Sequence, residues 1–288
     1  MAIPNVSFEF FPPKTPAGLQ GLLQAADRLK VFGPEFASVT YGAGGSTQDT
    51  TANAVRSLRE SLGLDVAPHL TCVEATRDET LGIARSYVES GVRKIVALRG
   101  DPRDGVEGTY TPHPDGFAYA SDLVEGLGTF PDLEIYVSAY PEKHPAAASL
   151  DFDIDVLKKK QQNGAKAAIT QFFFSNDDYL RYRDTAYATG VGLPLIPGIM
   201  VPENIDGVRR FAAGCGASVP NALLARFDGL DEDAETRRLI ATHFSIKQCE
   251  ALIAEGVDQF HFYTLNKSES VYAVCHAMGL RPSLSEVA

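Results

Sequence analysis

Apolar residues recur along the chain in two rhythms. Short β-branched and aromatic runs alternate with longer stretches in which apolar residues return every three or four positions. The short runs are Val6 to Phe11, Phe36 to Tyr41, Val66 to Cys72, Lys94 to Arg99, Glu134 to Tyr140, Ala167 to Phe174, Leu193 to Ile199 and Gln259 to Leu265, and they read as eight strands. Between them lie helical patterns, such as Leu19, Leu22, Leu23, Ala26 and Leu29, or Leu81, Ala84, Tyr87 and Val88. Four helical stretches close on a glycine just before a strand, at Gly91, Gly164, Gly190 and Gly256. Glycine accepts the left-handed conformation that ends a helix. Eight strands alternating with helices predict an α/β fold, a single (β/α)8 TIM barrel, which takes about 250 residues.

A long stretch separates the seventh and eighth strands, with helical patterns at Glu203 to Ala213, Asn221 to Phe227 and Glu232 to His243. It predicts a helical elaboration of the barrel. Ser245 with Gln248 three residues on predicts a capping-box start for the last intervening helix. The acidic run Asp228 to Asp233 reads as a solvated loop and helix start, without the pattern of a calcium loop.

Composition narrows the function. The chain has 26 basic and 37 acidic residues, a net charge of -11, which disfavours nucleic acid and anionic membranes as partners. Small-molecule chemistry is the expectation, and any anionic ligand must be met by a few placed cations. No leader-like amino terminus and no long apolar run is present, which predicts a cytoplasmic protein. Cys72, Cys215, Cys249 and Cys275 are scattered without Cys-x-x-Cys spacing, so they read as buried apolar residues, and no metal site is expected. No Gly-x-Gly-x-x-Gly follows a strand, so a cofactor would be held by the barrel mouth.

In such a barrel the carboxyl ends of the strands and the loops after them build the site. Glu9 stands among Phe8, Phe10 and Phe11. Burial there predicts a pKa raised toward neutrality, as a general acid requires; a paired or solvent-facing carboxylate is the plainer alternative. Arg99-Gly100-Asp101 sets a cation, a close-approach glycine and an anion at one strand end, fit for a phosphate and a polar ring or equally for a structural salt bridge. The run Gly42-Ala-Gly-Gly-Ser46 fits a phosphate cradle or a turn. His69 on its apolar strand reads as a core histidine or a catalyst, and His144 as a loop residue facing a ligand. Lys158-Lys159-Lys160 is a solvated face or, near the fifth loop, the counter-charge of a diphosphate.

Eight motifs in order, each at a strand or its end, carry a resemblance over nearly the whole chain. They are Ser7-Phe-Glu-Phe-Phe-Pro-Pro-Lys14, Ser38-Val-Thr-Tyr-Gly-Ala43, Pro68-His-Leu-Thr-Cys72, Ala97-Leu-Arg-Gly-Asp101, Ala139-Tyr-Pro-Glu-Lys-His-Pro145, Ile169-Thr-Gln-Phe-Phe-Phe174, Ile196-Pro-Gly198 and Phe260-His-Phe-Tyr-Thr-Leu-Asn266. Together they resemble the bacterial type of the 5,10-methylenetetrahydrofolate reductase family. The resemblance implies FAD at the barrel mouth, with NADH, or NADPH, as co-substrate. Matched by motif, Glu9 is implied as the catalytic acid and Asp101 and Gln171 as pterin contacts. Tyr41, Ala43, His69, Arg99, Gly100, Asp101, Ala120, Tyr140, His144, Asp153 and Lys160 match flavin positions. Thr40 and Gln171 match nicotinamide contacts, Phe211 an aromatic that stacks on folate or nicotinamide, and Leu265 with Lys267 the flanks of the aminobenzoyl group.

The implied mechanism is ping-pong: the nicotinamide reduces FAD and leaves, then methylenetetrahydrofolate takes its place. Glu9 protonates the departing N10, and the N5 iminium carbon receives the hydride. A homo-oligomer is implied as well. The chain departs from the family pattern at Gly207, where a glutamine is usual, with Met200-Val-Pro202 shifting the local spacing, and at Lys267, where an arginine is usual. The loop Pro102 to Gly116 is longer, and the chain stops at Ala288, so the adenosylmethionine-sensing domain of eukaryotic forms is expected to be missing. Two other readings stand beside this one: a flavin-free relative passing hydride directly, and a folate-binding or methyl-transfer partner without reductase activity.

Overall fold

The eight apolar runs form parallel strands β1 (Asn5–Phe10), β2 (Ala37–Val39), β3 (Val66–Thr71), β4 (Lys94–Leu98), β5 (Glu134–Ala139), β6 (Ala167–Phe172), β7 (Leu195–Met200) and β8 (Gln259–Tyr263). They close into a barrel in chain order, with β1 paired to both β2 and β8. The computed structural model describes residues 3–42, 48–101 and 110–282. Every residue of β3 and β7 is buried, because side chains fill the lumen on one face and helices cover the other.

The helices are α1 (Pro16–Lys30), α2 (Gln48–Leu62), α3 (Arg77–Glu89), α4 (Ala120–Leu127), α5 (Leu150–Gln162), α6 (Asn176–Ala188), α7 (Ile205–Cys215), α8 (Asn221–Leu224), α9 (Ala234–Ala254) and α10 (Glu269–Ala277). Local chemistry starts them. Thr15 caps α1 with Pro16 in its first turn, and Thr76 and Glu79 satisfy each other's backbone N–H groups at the start of α3. The four glycine joints all lie in the left-handed region, with φ of 89° at Gly91, 107° at Gly164, 99° at Gly190 and 85° at Gly256.

Two apolar layers follow from the two-residue period of the strands. Phe8 and Phe10 point outward and pack with Leu22, Leu29, Leu58 and Phe262 under the helices. Phe36, Val96, Tyr136, Ile169 and Ile196 form a separate cluster that draws on the strands and their approaches but on no helix, and so plugs the lumen. Polar side chains occupy the lumen above this plug. Gly198 is required where β7 meets β6 and β8: a Cβ there would lie 2.2 Å from the Thr170 carbonyl oxygen and 2.5 Å from the Tyr263 ring.

The elaboration comprises α7, α8, a 3-10 turn at Ala225–Phe227 and α9. Its last part differs from the sequence expectation. Ser245 and Gln248 start no helix, since α9 runs unbroken through them and is capped by Asp233, whose carboxylate accepts from Thr236 N–H at 2.9 Å. Ser245 is buried in mid-helix, and Gln248 Nε2 donates to the Phe173 carbonyl at 2.8 Å. The same three-residue spacing occurs inside any helix, and packing decided its use. Cys72, Cys249 and Cys275 are buried, whereas Cys215 is half-buried; all four are free thiols. Among the described residues no helix is long and apolar enough to cross a membrane.

Replacing Gly198 by alanine is expected to destabilise the barrel by about 2–3 kcal/mol, since the neighbouring atoms are backbone and a buried ring. Urea denaturation of the variant beside wild type measures this. An unchanged midpoint would show that the β6–β8 seam yields more than its packing implies.

Candidate active site

Register brings the polar residues of the lumen together. Glu9 lies opposite Ser38 on β2 and Tyr263 on β8, and Ser7 lies opposite His261. Residues two apart share a face, so Ser7 and Glu9 look into the lumen while Phe8 and Phe10 look away. The Glu9 carboxylate is buried, 8% exposed, and its Oε2 meets three groups. His69 Nε2 of β3 stands at 3.2 Å, His261 Nε2 at 3.4 Å, and Ser38 Oγ donates at 3.4 Å. Ser7 Oγ closes the cluster at 2.7 Å from His261 Nδ1.

This geometry corrects the expected electrostatics of Glu9. Burial does push the carboxyl up, as the surrounding phenylalanines suggest. The His69 charge, the His261 hydrogen bond and further contacts from both rings outweigh it and hold the pKa down, at about 2. The phenylalanines flank Glu9 in sequence but occupy the other face of the strand. Glu9 therefore rests as a carboxylate against two imidazoles. His69 is accordingly a partner of the candidate acid, and neither a solitary core histidine nor a group remote from the chemistry.

A second cluster lies at the mouths of β4 and β5. Arg99 extends over the Tyr110 ring at 4.4 Å, with its guanidinium 3.8 Å from Asp101. Gly100 has φ 85°, and a Cβ on it would lie 2.6 Å from Val73 Cγ1 and 2.8 Å from Thr71 Cβ. Tyr140 meets the His144 ring edge-on at 4.6 Å. His144 N–H donates to Asp153 at 2.9 Å, and its Nδ1 accepts from Ala146 N–H at 3.0 Å. Burial first, then the charges of Arg99, Lys160 and Lys143, pull the His144 ring down to about 4, so near neutral pH it is uncharged with its proton on Nε2. Burial pushes the Tyr140 hydroxyl up to about 12 and raises Asp153. Ala120 is buried as the first residue of α4.

The lysine run divides by helical geometry. Lys158 pairs with Asp155 at 3.0 Å and Lys159 with Asp122 at 3.3 Å, whereas Lys160 turns inward and donates to the Ser138 carbonyl at 2.8 Å. Burial lowers Lys160 to about 8, opposed by Asp153. Three cations thus act on one notch of a chain whose overall charge is -11. This surplus, with the tight Gly100 corner and the exposed ring of Tyr119, fits a large group that is anionic at one end and flat at the other.

A third feature is a cleft of about 300 Å³ between α7 and the end of β8. Phe11, Val208, Phe211 and Leu265 line it, with Glu203 and Lys267 at the rim. Phe211 is half-exposed and stacks on Phe172 with centroids 5.6 Å apart. Lys267 Nζ lies 3.8 Å from Glu203, which also accepts from Ser270 Oγ at 2.5 Å. Position 207 carries no side chain because Asn204 caps α7 there; a Cβ would lie 2.7 Å from Asn204 Nδ2.

Between these features, Gln171 sits where the pairing of β6 with β7 shifts register, and its Oε1 accepts from Phe172 N–H at 3.0 Å. Thr40 is half-buried just past β2, its carbonyl held by Thr51 Oγ1 at 2.9 Å. Tyr41 follows, its hydroxyl pushed up by burial and Asp49. Ala43, the rest of the glycine run through Ser46, and most of the loop Pro102 to Gly116 lie outside the described residues. The sequence reading gave no role to Ser7, Ser38 or His261. The alternation Phe260-His261-Phe262-Tyr263 mirrors Ser7-Phe8-Glu9-Phe10 and was the available signal. Among the described residues no group of His, Cys, Asp or Glu side chains, the Glu9, His69 and His261 cluster included, is arranged to hold a metal ion.

Known proteins match the chain over nearly its whole length. The family model described as methylenetetrahydrofolate reductase matches residues 2–279. The 5,10-methylenetetrahydrofolate reductase of Escherichia coli strain K12 is 46% identical over 280 residues, covering 97% of this chain and 92% of the relative. That of Pectobacterium carotovorum is 45% identical over 282 residues, 98% of this chain and 92% of the relative. Methylenetetrahydrofolate reductase (NADH) 1 of Arabidopsis thaliana is 33% identical over 285 residues, which is 95% of this chain and 48% of that protein. Among solved structures, an uncharacterized protein from Clostridium thermocellum that binds two copies of 5-methyl-5,6,7,8-tetrahydrofolic acid aligns with a TM-score of 0.65 at 14% identity, over 96% of this chain and 93% of that one. At that identity the likeness is one of fold.

The state of His144 makes stability depend on pH. Its folded value of about 4 lies below the unfolded value of 6.5, so as pH falls the unfolded chain takes up the proton first. Stability present above pH 6.5 is lost on the way down toward pH 4. His144→Asn cannot be protonated and is expected to flatten the urea-derived stability curve across that window; a slope equal to wild type would refute the neutral resting state.

Proposed function

The chain belongs to the methylenetetrahydrofolate reductase family and reduces 5,10-methylenetetrahydrofolate to 5-methyltetrahydrofolate, and we propose how its barrel mouth does so. FAD would be held across the mouths of β3 to β5, with NADH (or NADPH) as the donor of a first half-reaction and folate replacing it in a second. Bound FAD would supply the hydride relay between nicotinamide and folate. The observation that carries this reading is Glu9, a buried carboxylate at the lumen mouth backed by His69, His261 and Ser38.

The polar residues divide the work. Arg99, Lys160 and the neutral His144, the last with Nε2 as donor, would hold the anionic portion of the cofactor, and Gly100 would leave room beside the backbone. Tyr41, Ala43, Ala120, Tyr140 and Asp153 complete that surface. Asp101 and Gln171 take the pterin, and Thr40 with Gln171 the nicotinamide. Phe11, Phe211 and Leu265 form the walls for the aminobenzoyl group, with Lys267 at the rim for the tail carboxylates. Because Glu203 already faces Lys267, the tail is held loosely.

Opening the folate ring requires a proton at N10. Glu9 is the group placed to deliver it, with His69 and His261 against its carboxylate. When ligands cover the mouth and exclude water, the burial that already pushes Glu9 up gains weight. The proton then settles on the carboxyl, next to the nitrogen that needs it. Ser7 orients His261, and Ser38 bridges it to Glu9, so the cluster refills through its own hydrogen bonds. The nicotinamide half-reaction involves no such proton at N10. We further propose a cytoplasmic homo-oligomer with the barrel as its one catalytic domain.

Glu9→Gln is expected to retain reduction of the flavin by nicotinamide and to lose folate reduction by about 10²–10⁴-fold. Stopped-flow absorbance of each half-reaction separates the two. Equal loss in both would remove Glu9 from the acid role, and a purified protein without a flavin spectrum would overturn the cofactor assignment.

A further inference from the structure

The turn after β8 is fastened to the end of β1 by an arrangement that the reaction scheme leaves without a role. Leu265 and Asn266 both lie in the left-handed region, with φ of 51° and 57°. Such a pair is uncommon for residues with side chains, and for leucine it is unfavourable. Hydrogen bonds hold it. Asn266 Oδ1 accepts from Phe11 N–H at 2.8 Å, and Asn266 Nδ2 donates to the Phe11 carbonyl at 2.9 Å. One side-chain amide thus continues the β1–β8 pairing one step beyond the strands. Thr264 Oγ1 donates to the Glu9 carbonyl at 2.6 Å and accepts from Asn266 N–H at 3.1 Å.

These bonds tie Phe11, one wall of the cleft, to the residue that directly follows Leu265, another wall. Phe11 and Leu265 are each 39% exposed, and both line the cleft of about 300 Å³ beneath α7. Apolar side chains that exposed have little packing of their own to set their separation. We infer that Asn266 is a positioning residue that fixes the spacing of Phe11 and Leu265, and so sets the fit of the aromatic portion of the folate. The inference rests on the reading of this cleft as the folate site. Asparagine suits the position because it tolerates left-handed backbone and carries a donor and an acceptor on one short side chain. Aspartate lacks the donor, and glycine lacks both.

The test uses the flavin-loaded protein and Asn266→Gly, in which glycine keeps the backbone at φ 57° without strain. The KM for methylenetetrahydrofolate and the Kd for 5-methyltetrahydrofolate, read by equilibrium titration, are expected to rise about tenfold. The turnover number should fall less than about threefold, and the melting temperature should move by only a few degrees. Leu265→Ala serves as control on the cleft itself. If it raises both constants while Asn266→Gly leaves them unchanged, the positioning role is overturned. If Leu265→Ala changes neither, the cleft is not the folate site. A loss of turnover without a change in KM or Kd in Asn266→Gly also overturns the inference. Should Asn266→Gly melt far below wild type, Asn266→Asp carries the same readouts, since it keeps the shape and the acceptor but sets an acceptor oxygen in place of the donor to the Phe11 carbonyl.

Discussion

β1 lies between β2 and β8, and the pairing that closes the barrel there sets the chemistry of the whole mouth. It puts Ser7 beside His261 and Glu9 beside Ser38 and Tyr263. Parallel register admits no half-measure, since a slip of one residue would turn Glu9 into the helix layer and Phe8 into the lumen. A buried carboxylate cannot stay ionised without partners, and its partners come from three other strands. Closure and charge therefore depend on each other. The open barrel would leave Glu9 unpaired, and Glu9 without its histidines would strain the closed one.

Charge is handled locally against the trend of the chain. With a net charge of -11, the chain as a whole disfavours anions, yet Arg99, Lys160 and Lys143 converge on His144, where burial first and then these charges pull its pKa to about 4. Burial lowers Lys160 to about 8 against the opposing charge of Asp153, so it still carries its charge near neutral pH. The result is a notch where positive charge gathers around the tight Gly100 corner and the neutral imidazole of His144.

The elaboration after β7 supplies the apolar side of the mouth. Helix α7, started by the Asn204 cap, presents Phe211 over Phe172, and the turn after β8 presents Leu265 toward it. The polar cluster of the lumen and the apolar cleft adjoin at the end of β1, where Glu9 belongs to the one and Phe11, just past the strand, lines the other.

The sequence by itself determined the barrel. Strand runs, helical periodicity and four joint glycines were legible because each is a local preference of the backbone, and all four glycines take the left-handed conformation expected. The mouth residues were legible as strand ends, and Lys160 could be singled out within its run only by resemblance. Local signals failed where packing chose among equivalent patterns: Ser245 and Gln248 match a cap yet lie inside α9, because Asp233 and burial set its start. What only the tertiary structure decided is the state of Glu9. Its flanking phenylalanines predict a carboxyl pushed upward by an apolar pocket. The closed barrel instead sends those rings outward and brings His69 and His261, far apart in sequence, within 3.4 Å of its oxygen. Electrostatic energy depends on distance through space, and no pattern along the chain contains that distance.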